Sequence, residues 1–167
     1  MTSAETRPAM DRRRSLATGA MIGIAVMAAV DTIVFHQLLG WHHFYDRSTP
    51  DVSLLSDGLL QTAYLALLVA GFFWFADLRR RRTLARRSAW AGFVLGLGTF
   101  QLFDGVVDHK LLKVHQIRYG VDVRLYDVGW IGAAVALLIL GAVLAWRSRG
   151  EGWTPPAEHS AGRDRRG

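Results

Sequence analysis

Four apolar blocks, each long enough to cross a lipid bilayer, decide what this 167-residue chain can become. They run from about Ala17 to Leu39, Leu59 to Phe75, Ala89 to Val107 and Val128 to Trp146. An α-helix rises about 1.5 Å per residue, so roughly 20 apolar residues span the hydrocarbon layer. A soluble helix would keep a polar stripe, whereas these blocks are apolar around most of their circumference. The first follows Arg12, Arg13 and Arg14 much as a signal-peptide core follows its basic residues. It continues too far for that and no small-residue cleavage site closes it, so it reads as a retained helix. The expected fold is an all-α integral membrane protein, a four-transmembrane-helix bundle occupying residues 16–147. A flexible N-terminus (1–15) and a disordered tail (148–167) flank it, the tail carrying Pro155, Pro156, Gly162 and a His159 without a role.

Charge sets the orientation. Arginines crowd the N-terminal arm, the middle connection from Arg79 to Arg87, and the tail from Arg147 onward. Positive charge near helix ends is retained in the cytoplasm, so both termini and the middle connection belong there. The other two connections face outward, and Trp41, Tyr45, Tyr119, Tyr126 and Trp130 gather at that boundary, where amphipathic rings settle at headgroup level. The net charge of +6 therefore reflects topology, with anionic lipid headgroups as a further partner. Nucleic acid is excluded as a partner, because the arginines lie between apolar blocks instead of on one polar face. With no cysteine in the chain, disulfides, thiolate metal sites and covalent c-type haem are excluded as well.

The chemistry lies in a pattern that occurs twice. Asp31, His36, Leu38, Leu39 and His42 recur at equal offsets as Asp104, His109, Leu111, Leu112 and His115. Written as a motif it is D-x4-H-x-L-L-x-x-H, once at the outward end of each odd-numbered helix. Asp57 opens the second helix and Asp127 the fourth, so the halves share one orientation. The bundle is thus expected to consist of two same-orientation two-helix repeats about an axis along the membrane normal. Ionisable groups inside a span cost about 2.5–3.5 kcal/mol on insertion scales and are functional as a rule. On a straight helix, Asp31 and His42 stand about three turns apart, and joint ligation by His36 and His42 would need the chain to turn near Gly40. The expected arrangement pairs His36 with His109 across the axis, with His42, His43 and His115 approaching from the loops. Gly92, Gly96, Gly98, Gly129, Gly132 and Gly141 are expected to permit close helix contact.

Imidazole and carboxylate together suit transition metals. The candidate metal ligands are His36, His42, His43, Asp57, His109, His115 and Asp127, with Asp31, Asp104 and Asp108 as outer-sphere or proton-relay groups. Copper is preferred over zinc or iron because it tops the divalent affinity order. Such a site could be catalytic or structural. Two alternatives stand beside it: a proton or ion pathway through the same Asp and His residues without metal, and a b-type haem held by His36 and His109.

The segments DTIVFHQLLGWHH (Asp31 to His43), SDGLLQ (Ser56 to Gln61) and FDGVVDHKLLKVHQIR (Phe103 to Arg118) resemble a bacterial family of predicted membrane proteins catalogued as domain of unknown function 2243. The family pattern often has glutamate where Asp104 stands, which keeps a carboxylate, and a second histidine where Gln116 stands, which leaves His43 without a counterpart. The resemblance implies the fold, a site at these residues and a bacterial cytoplasmic membrane, but it selects no reaction. Beyond the lipid bilayer, the partners to consider are a second copy of the chain and respiratory or metal-handling membrane proteins.

Overall fold

The computed structural model describes residues 9–152, so the expectations for 1–8, for 153–167 and for His159 lie outside the described residues. Four long helices form the bundle, and no strand occurs among the described residues. Helix α1 (Arg12–Asp31) is capped by Asp11, whose carboxylate accepts from the Arg14 amide at 3.0 Å. Helix α2 (Pro50–Arg80) starts at Thr49, which caps it, with Pro50 in the first turn where the missing amide costs nothing. Helices α3 (Arg86–Phe103) and α4 (Arg124–Arg147) complete the set. The four segments are long and apolar enough to cross a membrane.

α1 and α3 form the inside of the bundle, and α2 and α4 flank them. In the most apolar stretch of each, 39% of α1 and α3 is buried against 11% of α2 and α4, whose remaining faces are left for lipid. The central pair crosses on backbone. A Cβ added to Gly19 would lie 2.0 Å from the Ala89 carbonyl oxygen, and one on Gly92 would lie 2.0 Å from that of Leu16. Gly23 faces the Phe93 carbonyl and Gly96 that of Ala20 in the same way, at 2.1 and 2.2 Å. No side chain fits, so small residues here let the two helices touch. Each of these contacts has a counterpart 73 residues along the chain, the offset that also separates Asp31 from Asp104. On the flanking helices Gly71 meets Ile22 and Gly141 meets Leu95, whereas Gly129 and Gly132, also expected to pack, face open space.

Three boundaries differ from the sequence reading, the first being that α1 already starts at Arg12, inside the stretch 1–15 expected to be flexible. α2 begins nearly two turns before Asp57, so Asp57 does not open that helix. The Thr-Pro start was the missed signal. At the other end, Glu151 is folded onto the bundle: its carboxylate accepts from the amides of Arg87 and Ser88 at 2.9 Å, satisfying the first turn of α3.

Candidate metal centre

α1 and α3 do not end as α-helices. Each passes into a π-helical segment, Thr32–Leu38 after α1 and Asp104–Leu111 after α3. A π turn closes between residues i and i+5, the spacing of Asp31 to His36 and of Asp104 to His109. It therefore sets the aspartate and the histidine of each motif one above the other. His36 Nε2 lies 3.2 Å from Asp31 Oδ2, and His109 Nε2 lies 3.3 Å from Asp104 Oδ2.

The chain then reverses. Gly40 has φ +57° and Lys113 has φ +51°, the left-handed conformation that ends a helix. Amides beyond each turn bond back into it, Trp41 to the Phe35 carbonyl at 2.8 Å and Val114 to that of Asp108 at 3.0 Å. This reversal carries the second histidine of each motif back over its aspartate. His115 Nε2 stands 3.3 Å from Asp104 Oδ1, and His42 Nε2 stands 3.9 Å from Asp31 Oδ1. The expected separation of Asp31 and His42 along a straight helix is thus removed by the turn at Gly40.

The central pair is His42 with His115, and not His36 with His109. Their rings stack at 4.6 Å with 5° between planes. His36 flanks His42 at 4.6 Å, and His109 flanks His115 at 4.7 Å, both edge-on. The Nδ1–H of His42 donates to the Ile117 carbonyl and that of His115 to the Phe44 carbonyl, both at 2.9 Å. These reciprocal bonds again match at an offset of 73. His36 Nδ1 donates to Asp57 Oδ1 at 2.8 Å, so three of the four rings spend Nδ1 on an oxygen acceptor. In the neutral ring that leaves a lone pair on Nε2. All four Nε2 atoms are buried without a hydrogen-bond partner.

Burial is nearly complete, at 3% exposure or less for His36, His109, His115, Asp31 and Asp104, and 4% for His42. Aromatic side chains lie beside this buried chamber. Phe35 meets Trp130 edge-on at 5.3 Å, and the Arg118 guanidinium lies 4.8 Å over the Trp41 ring and 5.5 Å over Tyr126. Burial, then the neighbouring His115 and His36, press the His42 pKa down to about 3 and keep that ring neutral. Burial also opposes a charge on His115, but the Asp104 carboxylate outweighs it and raises the pKa. The chamber thus draws positive charge towards Asp104 while holding His42 in the form a metal requires.

The remaining sequence candidates fall outside this chamber or at its edge. Asp57 bridges His36 and His43, accepting from His43 Nδ1 at 2.6 Å and from the Phe44 amide at 2.7 Å. It orients an imidazole from behind. His43 is 40% exposed and lies beyond Asp57. Asp127 pairs with Lys110 and not with His109, whose Nδ1 stays unpartnered, as does Asp127 Oδ1. Asp108 is buried on the second π segment, within electrostatic reach of Asp104 and Asp31. Asp31 and Asp104, expected as outer groups, are the carboxylates against the Nε2 atoms. Trp130, expected only as a boundary aromatic, also belongs to the site: its indole N–H donates to Asp104 Oδ2 at 3.0 Å.

A family model described as a predicted membrane protein, DUF2243, matches residues 18–148. The chain belongs to this family. The match takes in both motifs, both π segments and the four spans except the first turns of α1, so the whole site lies within the family region. No curated protein and no solved structure matches the chain.

Proposed function

We propose that this membrane protein is a metalloprotein whose chamber of His36, His42, His109, His115, Asp31 and Asp104 binds a transition metal. The observation that carries this reading is the set of four buried, unpartnered Nε2 atoms facing two carboxylates. Buried polar atoms are paired as a rule, and unpaired ones call for an explanation. An Nε2 lone pair 3.2 or 3.3 Å from a carboxylate oxygen is repelled unless a cation lies between them. A proton would do so along a hydrogen bond, yet none of these contacts is aligned as one. Ligands bound at ~2.0–2.1 Å to a tetrahedral ion stand ~3.3–3.4 Å apart, which fits the three shortest distances. Asp57 and the carbonyls of Ile117 and Phe44 then orient the rings from outside, the usual outer partners of metal-bound histidine.

Copper(II) should bind most tightly, by the general affinity order, with zinc and iron weaker at the same ligands. The positive-inside rule puts the chamber near the outer surface of the bacterial cytoplasmic membrane, with both termini in the cytoplasm. Haem is disfavoured, because the stacked His42 and His115 rings occupy the space between His36 and His109. The ion-pathway reading lacks a continuation: no Asp, Glu, His, Lys or Arg occurs within residues 16–30, 58–76, 89–103 or 128–146.

Purification in mild detergent, followed by elemental analysis and an absorption spectrum, tests the proposal. Bound metal, or stoichiometric uptake of copper(II) or zinc(II), is expected without a Soret band. Protein that arrives empty and takes up neither ion overturns the reading and promotes the metal-free relay.

A further inference from the structure

We infer that the chamber is a dinuclear centre holding two divalent transition-metal ions, one at Asp31 with His36 and His42, the other at Asp104 with His109 and His115. This deepens the metalloprotein reading and depends on it. The first argument is geometric. Each carboxylate presents its two oxygens to two different imidazoles of its own motif: Asp31 to His36 and His42, Asp104 to His109 and His115. Two overlapping groups have their donor atoms within 4.8 Å of one another, Asp31 with His36 and His42, and His42 with His109 and His115, so His42 lies between the halves; the second half adds Asp104, 3.3 Å from both His109 and His115. Four imidazoles and two carboxylates exceed what one tetrahedral ion takes, but they supply three protein ligands to each of two, leaving open positions. Two-metal centres place their ions about 3.5–4 Å apart, and the 4.6 Å stack of His42 on His115 sets the two halves at a comparable spacing.

Charge gives a second argument. Asp31, Asp57, Asp104 and Asp108 are all buried, at 2, 4, 2 and 7% exposure. Among the described residues, no lysine or arginine pairs with any of the four; their only ion-pair partners are histidines. Lys110 is committed to Asp127. Buried carboxylates without a counter-charge are strongly destabilising. Protonating every ring would place two imidazolium rings face to face at 4.6 Å, where like charges repel. Two divalent ions supply four positive charges to four carboxylates, and one ion supplies half of that.

The third argument is the correspondence of the halves. Backbone contacts, Nδ1 bonds and left-handed turns all recur at the same offset. A site built by one half is therefore built by the other.

The test is a copper(II) and a zinc(II) titration of the full chain in detergent. A His43→Ala, His159→Ala background removes the exposed and tail histidines. Two equivalents of tightly held ion per chain are expected, with the copper(II) form showing a weakened or broadened electron-spin signal from coupling between neighbouring ions. The double variant Asp31→Asn, His36→Ala should fall to one equivalent with the signal of an isolated copper(II) ion, and Asp104→Asn, His109→Ala should do the same. Thermal unfolding of each variant reports whether it is folded, and the parent titration decides the matter if a variant is not. One equivalent in the parent, or two without coupling, overturns the dinuclear centre and leaves the metalloprotein reading standing. No binding overturns both.

Discussion

The two motif copies share one backbone and differ in what stands behind their histidines. In the first, Asp57 on α2 holds the Nδ1–H of His36 at 2.8 Å. In the second, the aspartate on the facing helix is Asp127, but Lys110 has taken it, and His109 Nδ1 and Asp127 Oδ1 are each left without a partner. The chain explains part of this. Between the second histidine and the aspartate lie the steps 42 to 57 in one copy and 115 to 127 in the other, a connection three residues shorter. Position 37 is Gln in the first copy, where it bonds Gln61, while its counterpart is Lys110. Trp130 supports Asp104 from its own side in compensation. The arrangement of one aspartate against two histidines thus recurs in both copies, and support from outside does not. His36 is held in one orientation, and His109 is free to adjust.

The largest expected effect comes from the ring that lies between the halves. His42 lies between the halves, but its Nδ1–H is held by the Ile117 carbonyl, so it offers one donor, Nε2, and His42→Ala should empty the first position and lower metal content from two equivalents to one. His43→Ala, 40% exposed and outside the chamber, should leave metal content unchanged. Metal per folded chain, measured after desalting, compares them. If His42→Ala loses both equivalents, the two positions do not fill independently.

A substitution in the shared backbone should strike both copies alike. Gly23 and Gly96 face carbonyl oxygens at 2.1 and 2.2 Å from an added Cβ, so either change to alanine forces the central helices apart. The cost should be at the top of the overpacking range, ~3 kcal/mol. Equal losses in thermal unfolding would support the correspondence of the halves. A large inequality would confine it to the site.

The supporting carboxylates should separate the copies. Asp57→Asn removes the acceptor charge behind His36 and should weaken metal affinity about 10-fold, the low end for a lost outer partner. Asp127→Asn should change affinity far less, because no bond to His109 exists to be lost. Competition against a chelator of known affinity measures both. Equal weakening would mean that loading the metal draws Asp127 away from Lys110 and onto His109.

Much of this was legible in the sequence, and the omissions share a cause. Apolar length marked four spans, and the doubled D-x4-H-x-L-L-x-x-H marked the residues of the chamber. The pairing of His36 with His109 was an error of geometry, since it assumed a straight α-helix through Leu38. A five-residue Asp-to-His step fits a π turn, but π segments have no propensity signature strong enough to overrule the α-helical reading. Gly40 did signal the reversal. Its counterpart Lys113 could not, because lysine rarely takes that conformation. The roles of Trp130 and Lys110 depend on which side chain reaches across a bundle, and spacing along one chain does not specify that.

The smallest effect falls on those two turns and sharpens the comparison at the backbone level. Gly40 and Lys113 hold equivalent left-handed positions at φ +57° and +51°. A non-glycine residue in that conformation costs ~1–2 kcal/mol, because Cβ crowds the following carbonyl oxygen. Glycine avoids that strain but loses more freedom on folding, by about 0.5–1 kcal/mol. No atom lies within 4 Å of a Cβ added to Gly40, so Gly40→Ala adds strain without a clash and should destabilise by ~0.5–1 kcal/mol. Lys113→Gly releases the strain already present and should stabilise by a similar amount, since the Lys113 contact to Arg47 uses only the backbone carbonyl. Opposite signs in thermal unfolding are the expected result. If Lys113→Gly destabilises instead, the lysine side chain holds the second turn by a contact of its own, and the two reversals are equivalent in shape but not in cause.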